Sequence, residues 1–215
     1  MPSIRCKCNA VTIELSVKMP LWRLECCCHD CTTALWYVNK HKGAPSPPPH
    51  QMVDSLWFPN NFRVSSGLEE LGAYKNFERA DTTRFYCKRC WTCLIADHEF
   101  YEQRVILTQV LSFIEYVGSV GLDLFLPRCR HFTKDLNQGQ RISLPEFSGD
   151  KKHIYGSVGD NFAEAIDDIK RAGEKGQMNI QKLAELSGQP FAPENERQRM
   201  TEAPPTLMQQ ARGEQ

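Results

Sequence analysis

Four thiols and an imidazole fall within residues 26–31, Cys26-Cys27-Cys28-His29-Asp30-Cys31. So dense a run of soft ligands points to a chain that folds around a bound metal. Two cysteine pairs frame it, Cys6-x-Cys8 near the start and Cys87-x-x-Cys90 far downstream. Positions 1–20 carry Cys6, Lys7, Cys8 and Asn9 where a secretory leader needs an apolar stretch, so a cytoplasmic protein is expected. In a reducing compartment the ten cysteines cannot be a disulfide scaffold. Thiolates converging on a zinc ion are the expectation; disulfides compete with it only for a secreted chain.

The 215 residues suit one domain with appendages, or one domain and a small second one. The 26 basic and 26 acidic residues cancel, which argues against nucleic acid and anionic membranes as partners. No apolar run approaches the roughly 18 residues of a membrane span. A small-molecule substrate is the partner expected.

Residues 11–17 alternate, Val11, Ile13, Leu15 and Val17 on one face and Thr12, Glu14 and Ser16 on the other, the period of a half-buried strand. Residues 21–27 read as a second strand that delivers the cysteine run at its end. Residues 32–39 fit a helix or an extended wall equally well. Residues 42–50, with Pro47, Pro48 and Pro49 in succession, exclude regular structure and predict a surface loop. Short apolar runs at 56–58, 62–64, 71–74 and 82–86, split by turn residues, predict an antiparallel all-β unit closed by Cys87-x-x-Cys90. A strand pair, or a strand and turn, is expected over 105–117, with another apolar run at 122–126. These runs define a β domain over 1–157. Asp160 as N-cap, Phe162, Ile166 and Ile169 on one face, and Gly173 as stop predict a helix; Ile180, Leu183 and Leu186 predict a second before Gly188. The helical extension thus spans 158–190, and the polar residues 191–215 are expected to be a disordered tail.

Cys6, Cys8, Cys87 and Cys90 supply four thiolates from two tight turns, the requirement of a closed, structural zinc site. Cys26, Cys28 and Cys31 can approach a second metal from one side, keeping a fourth position for water or substrate. Along an extended segment Cys27 points the opposite way and belongs in the core. His29 is a rival ligand that would close the second site as Cys3His and leave its metal structural.

Cys-x-Cys before a strand, Cys-x-Cys-x-x-Cys after another, and Phe62…Gly67…Leu71…Tyr74…Arg84-Phe85-Tyr86-Cys87-x-x-Cys90 together resemble the glutathione-dependent formaldehyde-activating enzyme family, which includes the centromere-protein-V-like domains. The resemblance spans roughly residues 4–150. It implies a mainly β, Mss4-like fold of antiparallel sheets, a structural zinc on Cys6, Cys8, Cys87 and Cys90, and an active-site zinc on Cys26, Cys28 and Cys31. It also implies carbon–sulfur lyase chemistry with glutathione as co-substrate. The chain departs from the pattern at Asn9 and Trp91, where the family has glycine, and at Cys31-Thr32-Thr33-Ala34-Leu35, where the family continues Cys-Arg-x-x-Gly. A remodelled pocket and a specialised substrate follow from these departures.

His131 is a candidate acid or base beside the second zinc, with a histidine hydrogen-bonded in a strand as the equal alternative. His98 and Glu99 are weaker candidates. Cys93 and Cys129 read as free buried thiols, and His41, His50 and His153 as surface residues. Arg23, Lys40, Arg84, Lys88 and Arg89 are the cations available to a glutathione carboxylate. The leading expectation is a zinc-dependent lyase acting on a carbonyl compound or its thiol adduct. Two other functions compete with it: a non-catalytic module with two structural zincs and a partner surface at Trp36, Trp57 and Trp91, and a zinc-thiolate redox sensor.

Overall fold

A computed structural model describes residues 2–45, 50–76, 80–110, 125–157, 160–173 and 183. The protein is mainly β. A three-stranded antiparallel sheet takes the order β1 (Ser3–Arg5), β2 (Thr12–Leu15), β5 (Phe62–Ser66). A seven-stranded sheet joins β3 (Trp22–Cys26), β4 (Val53–Pro59), β6 (Leu71–Tyr74), β7 (Thr82–Cys87), β8 (Cys93–His98), β9 (Val105–Gln109) and β10 (Cys129–His131). Its order is β10-β3-β4-β9-β8-β7-β6, antiparallel except where β10 runs parallel to β3.

The alternation at the start of the chain folds as its period demands. Val11, Ile13 and Leu15 are fully buried, while Thr12 and Glu14 face outward. With Ile4, Leu56, Phe58, Leu71, Phe85 and Ile95 they form the principal core between the sheets. Gly67 leads from β5 toward β6 at φ 74°, and a Cβ there would stand 2.0 Å from the Ala10 carbonyl oxygen, so only glycine lets these two turns meet.

The stretch 32–39 is helical, within α1 (His29–Lys42). It buries Thr32, Thr33, Ala34, Leu35, Tyr37 and Val38 and ends at Gly43 in the left-handed region. The turn before the Pro-rich segment therefore begins at Gly43 rather than at residue 42; residues 46–49 lie outside those described. Cys87-x-x-Cys90 does not close the β unit. It is the turn into β8, which lies between β7 and β9 inside the large sheet. The expected strand at 105–117 is β9 up to Gln109, and its continuation, most of 122–126, the second helix at 180–186 and the tail fall outside the described residues, Leu183 excepted.

Beyond the sheets lie α2 (Gln138–Ser143), opened by a capping box between Asn137 and Gln140, and α3 (Asp160–Ala172). The predicted stop holds, since the Gly173 N–H donates to the Ile169 carbonyl at 2.8 Å. Arg104 donates from Nε to the Lys170 carbonyl (2.6 Å) and from Nη2 to that of Gly173 (3.1 Å), fastening the helix end to the β domain. Ile169 is buried with Trp57, Tyr101 and Val105, and Leu183 joins the principal core. Among the described residues no helix is long and apolar enough to cross a membrane.

Candidate metal centres and the adjoining cavity

Two turns of similar build bring the first four cysteines together. The Asn9 N–H donates to the Cys6 carbonyl (2.9 Å) and the Trp91 N–H to that of Cys87 (2.8 Å), each turn passing through a left-handed residue, Asn9 at φ 58° and Trp91 at φ 55°. These are the positions where the family pattern has glycine, and the backbone keeps the conformation glycine would allow. Asparagine bears it at little cost. Trp91 offsets the strain by stacking on Tyr86, with ring centroids 4.3 Å apart, beneath the Lys42 ammonium.

The sulfurs of Cys6, Cys8, Cys87 and Cys90 all lie within 4.8 Å of one another. Cys6–Cys8 and Cys8–Cys87 are 3.5 and 3.6 Å apart, close to the edge of about 3.8 Å for a tetrahedron with 2.3 Å metal–sulfur bonds. The Val11 N–H donates to the Cys6 sulfur at 3.2 Å, and Thr92 Oγ1 lies 3.1 Å from the Cys90 sulfur. Burial pushes the Cys90 thiol up, yet the Thr92 hydroxyl and backbone N–H groups outweigh it and hold it at about 7. This donor set fits one metal ion with every corner filled by protein.

The second group is built where a strand meets a helix. β3 carries Cys26 on one face, Cys27 falls fully buried on the other beside Met52 and Leu136, and Cys28 is the N-cap of α1. Its sulfur accepts from the Cys31 N–H at 3.3 Å. The sulfurs of Cys26, Cys28 and Cys31 lie within 4.8 Å of one another, and no fourth Cys, His, Asp or Glu among the described residues joins them. His29 stays outside this group: its ring is exposed, with Nε2 3.3 Å from Thr33 Oγ1.

The helix N-terminus and Arg84 favour negative charge here. Hydrogen bonds from Cys26 and Cys28 hold the Cys31 thiol well below its ordinary value, helped by Arg84, whose Nη2 lies 4.0 Å from the sulfur. The same sharing drives Cys26 up, because it keeps the proton. Arg84 is itself buried and pairs with Asp30 Oδ2 at 2.6 Å, while Asn76 also donates to Asp30. One carboxylate thus ties the helix start to β7 and to the chain just beyond β6.

A cavity of about 370 Å³ opens on the three thiols. Its walls include Leu24, Val53, Ile95 and Leu107, with Trp57 packed edge-on against Tyr101 at 4.4 Å between centroids. His131 lines it too. Parallel pairing sets His131 opposite Cys26, and the Cys27 N–H donates to the His131 carbonyl at 2.9 Å. His131 is 1% exposed, its Nε2 stands 2.8 Å from the Cys129 sulfur, and burial lowers its pKa to about 4, so the ring is neutral at pH 7. An ion pair within 10% of full burial, Arg130 Nε to Glu25 Oε2 at 2.6 Å, joins the same two strands.

The remaining candidates divide. His98 lines the cavity, whereas Glu99 is exposed and paired with Lys75. Cys129 is buried as expected, while Cys93 is half-buried and lines the cavity, its thiol pushed up to about 11 by burial. His41 is exposed, but His50 is half-buried, and so is His153, whose Nδ1 lies 2.9 Å from the Tyr155 hydroxyl. Trp57 is 3% exposed, so it cannot share a partner surface with Trp36 and Trp91. Of the five cations named for glutathione only Arg84 lines the cavity; Arg23 pairs with Asp54, Arg89 with Glu70, and Lys88 donates to the Glu69 carbonyl. Asp81, Phe100, Tyr101 and Asp135 line the cavity without having been singled out in the sequence. Their common signal is position just before or after strands β7, β8 and β10.

No family model matches the chain, and no curated protein matches it. Among solved structures it is similar to a Rhodobacter sphaeroides protein solved as a structural-genomics target, at 20% identity and a TM-score of 0.36, over 57% of this chain and 94% of that one.

Proposed function

We propose that the chain is a zinc-dependent enzyme of the carbon–sulfur lyase type, related to the glutathione-dependent formaldehyde-activating enzymes, that joins a thiol to a carbonyl compound or separates them. The observation that carries this reading is the group of three thiols facing a cavity, with no fourth protein donor among the described residues. The four-thiol group, filled by protein on every side, is the structural counterpart. Thiolate donors at this spacing favour zinc over harder cations.

At the second group, bound zinc would supply a Lewis acid able to stabilise a substrate thiolate or polarise a carbonyl oxygen. Cys26, Cys28 and Cys31 would hold it from one side. Asp30 and Arg84 keep the helix start, and with it Cys28 and Cys31, in place. Trp57 and Tyr101 keep water from the reacting atoms. In the joining direction the sulfur–carbon bond forms, the carbonyl π bond opens, and the thiol proton ends on the new hydroxyl. The neutral imidazole of His131 carries that proton between sulfur and oxygen.

Metal analysis tests the reading. The purified chain should hold two zinc equivalents, and Cys28→Ser should hold one, lose thiol–carbonyl turnover and keep its β-sheet circular dichroism. A Cys28→Ser chain that unfolds completely would make the second metal structural and favour the non-catalytic module.

A further inference from the structure

The charges around the cavity oppose its use by glutathione. Among the described lining residues there are three carboxylates, Asp30, Asp81 and Asp135, against one guanidinium, Arg84. Arg84 is committed to Asp30 at 2.6 Å and is 3% exposed, so the pair is close to neutral from outside. Asp81 and Asp135 are exposed where they line the cavity, as is Phe100 at 49%; the Asp81 carbonyl accepts from the Glu99 N–H at 3.0 Å, and Asp135 Oδ2 accepts from the His29 N–H at 3.1 Å. The interior beyond them is apolar and aromatic: Leu24, Val53, Trp57, Ile95, Tyr101 and Leu107. A substrate carboxylate entering here would meet two like charges and then a wall whose one guanidinium, Arg84, is already paired with Asp30. One such pair 4 Å apart in water already weakens binding about fivefold.

We infer that the thiol or carbonyl partner of this site is an uncharged molecule with an apolar or aromatic body, and that Asp81 and Asp135 exclude anionic thiols such as glutathione. This rests on the thiol–carbonyl reading of the three-cysteine group. The apolar body fills the cavity as hydrophobic burial favours, leaving its reactive end at the cysteines. Phe100 offers an aromatic face to the same body on the way in.

Calorimetric titration of the zinc-loaded full chain in 0.15 M NaCl at pH 7.5 tests it with three matched probes: benzyl mercaptan, 4-(mercaptomethyl)benzoate and benzyl alcohol. Benzyl mercaptan should bind at least about tenfold more tightly than the carboxylated thiol. In the double variant Asp81→Asn, Asp135→Asn that gap should close to about threefold, with benzyl mercaptan affinity unchanged. Equal affinity of the two thiols for the native chain overturns the inference, as does a gap that the double variant leaves intact, or no binding of any benzyl compound. Benzyl alcohol separates the two layers of the argument. If it binds as tightly as benzyl mercaptan, sulfur is not recognised and the thiol–carbonyl function fails, while the preference for an uncharged apolar body stands.

Discussion

Asp97 on β8 is 8% exposed, and its Oδ1 finds no hydrogen-bond partner among the described residues. Burial, and then the neighbouring charge of Glu99, lift its pKa to about 6 against roughly 3.9 in an unfolded chain. The folded state therefore holds a proton that the unfolded state has released between these values. Stability falls as pH rises from about 4 to about 6, by on the order of 2–3 kcal/mol. Urea denaturation from pH 4 to 7 should show that slope, and Asp97→Asn should flatten it and gain about 1–2 kcal/mol at pH 7. Trp91 poses the opposite balance. Glycine would relieve a left-handed backbone by about 1 kcal/mol, but it would forfeit the Tyr86 stack and the Lys42 contact, each about 0.5–1.5 kcal/mol, along with the burial of the indole. Trp91→Gly is expected to destabilise by about 1–2 kcal/mol in the same assay. That a glycine-like turn was needed at both Asn9 and Trp91 was implied by the resemblance, whose pattern has glycine at these positions. What relieves the tryptophan could not, because Tyr86 and Lys42 reach it from separate elements.

Among the elements, β3 brings Cys26 and β10 brings His131 to the cavity, and the buried Glu25–Arg130 pair lies between these strands. Arg130→Ala leaves Glu25 charged in a dry interior and should cost about 3–5 kcal/mol, whereas Glu25→Leu with Arg130→Leu should recover most of it. Chemical denaturation of both variants checks this, and a double variant as unstable as the single one would place the cost elsewhere. The pairing was not legible from sequence, since nothing local in a three-residue strand specifies a parallel neighbour a hundred residues away. β4 reads too short because Asp54 and Ser55 look like turn residues; Ser55 is in fact buried, its hydroxyl bonded to the Leu24 carbonyl. α1 stays ambiguous because Thr32, Thr33, Tyr37 and Val38 bury several of its sides, which erases the one-sided stripe a surface helix shows. β2, by contrast, is half-buried, and its alternation survives intact.

At the scale of the molecule, the four-thiol group fastens the first hairpin to the turn between β7 and β8. Stripping metal with a thiol-compatible chelator should lower the melting temperature and, in hydrogen exchange, release residues 3–15 before β4 and β9. Both cysteine groups were visible in the sequence as ligand spacing, because that pattern is written in a few adjacent residues. The cavity was not, because its walls come from six strands, α1 and the segments between them. The two groups also differ in when they can exist. Cys26, Cys28 and Cys31 leave the ribosome almost together, but Cys8 lies 79 residues ahead of Cys87. At about 5–20 residues per second that gap lasts roughly 4–16 s. During synthesis, then, the three-cysteine group can gather its ligands first, and Cys6 and Cys8 must wait with bare thiols for their partners to be made.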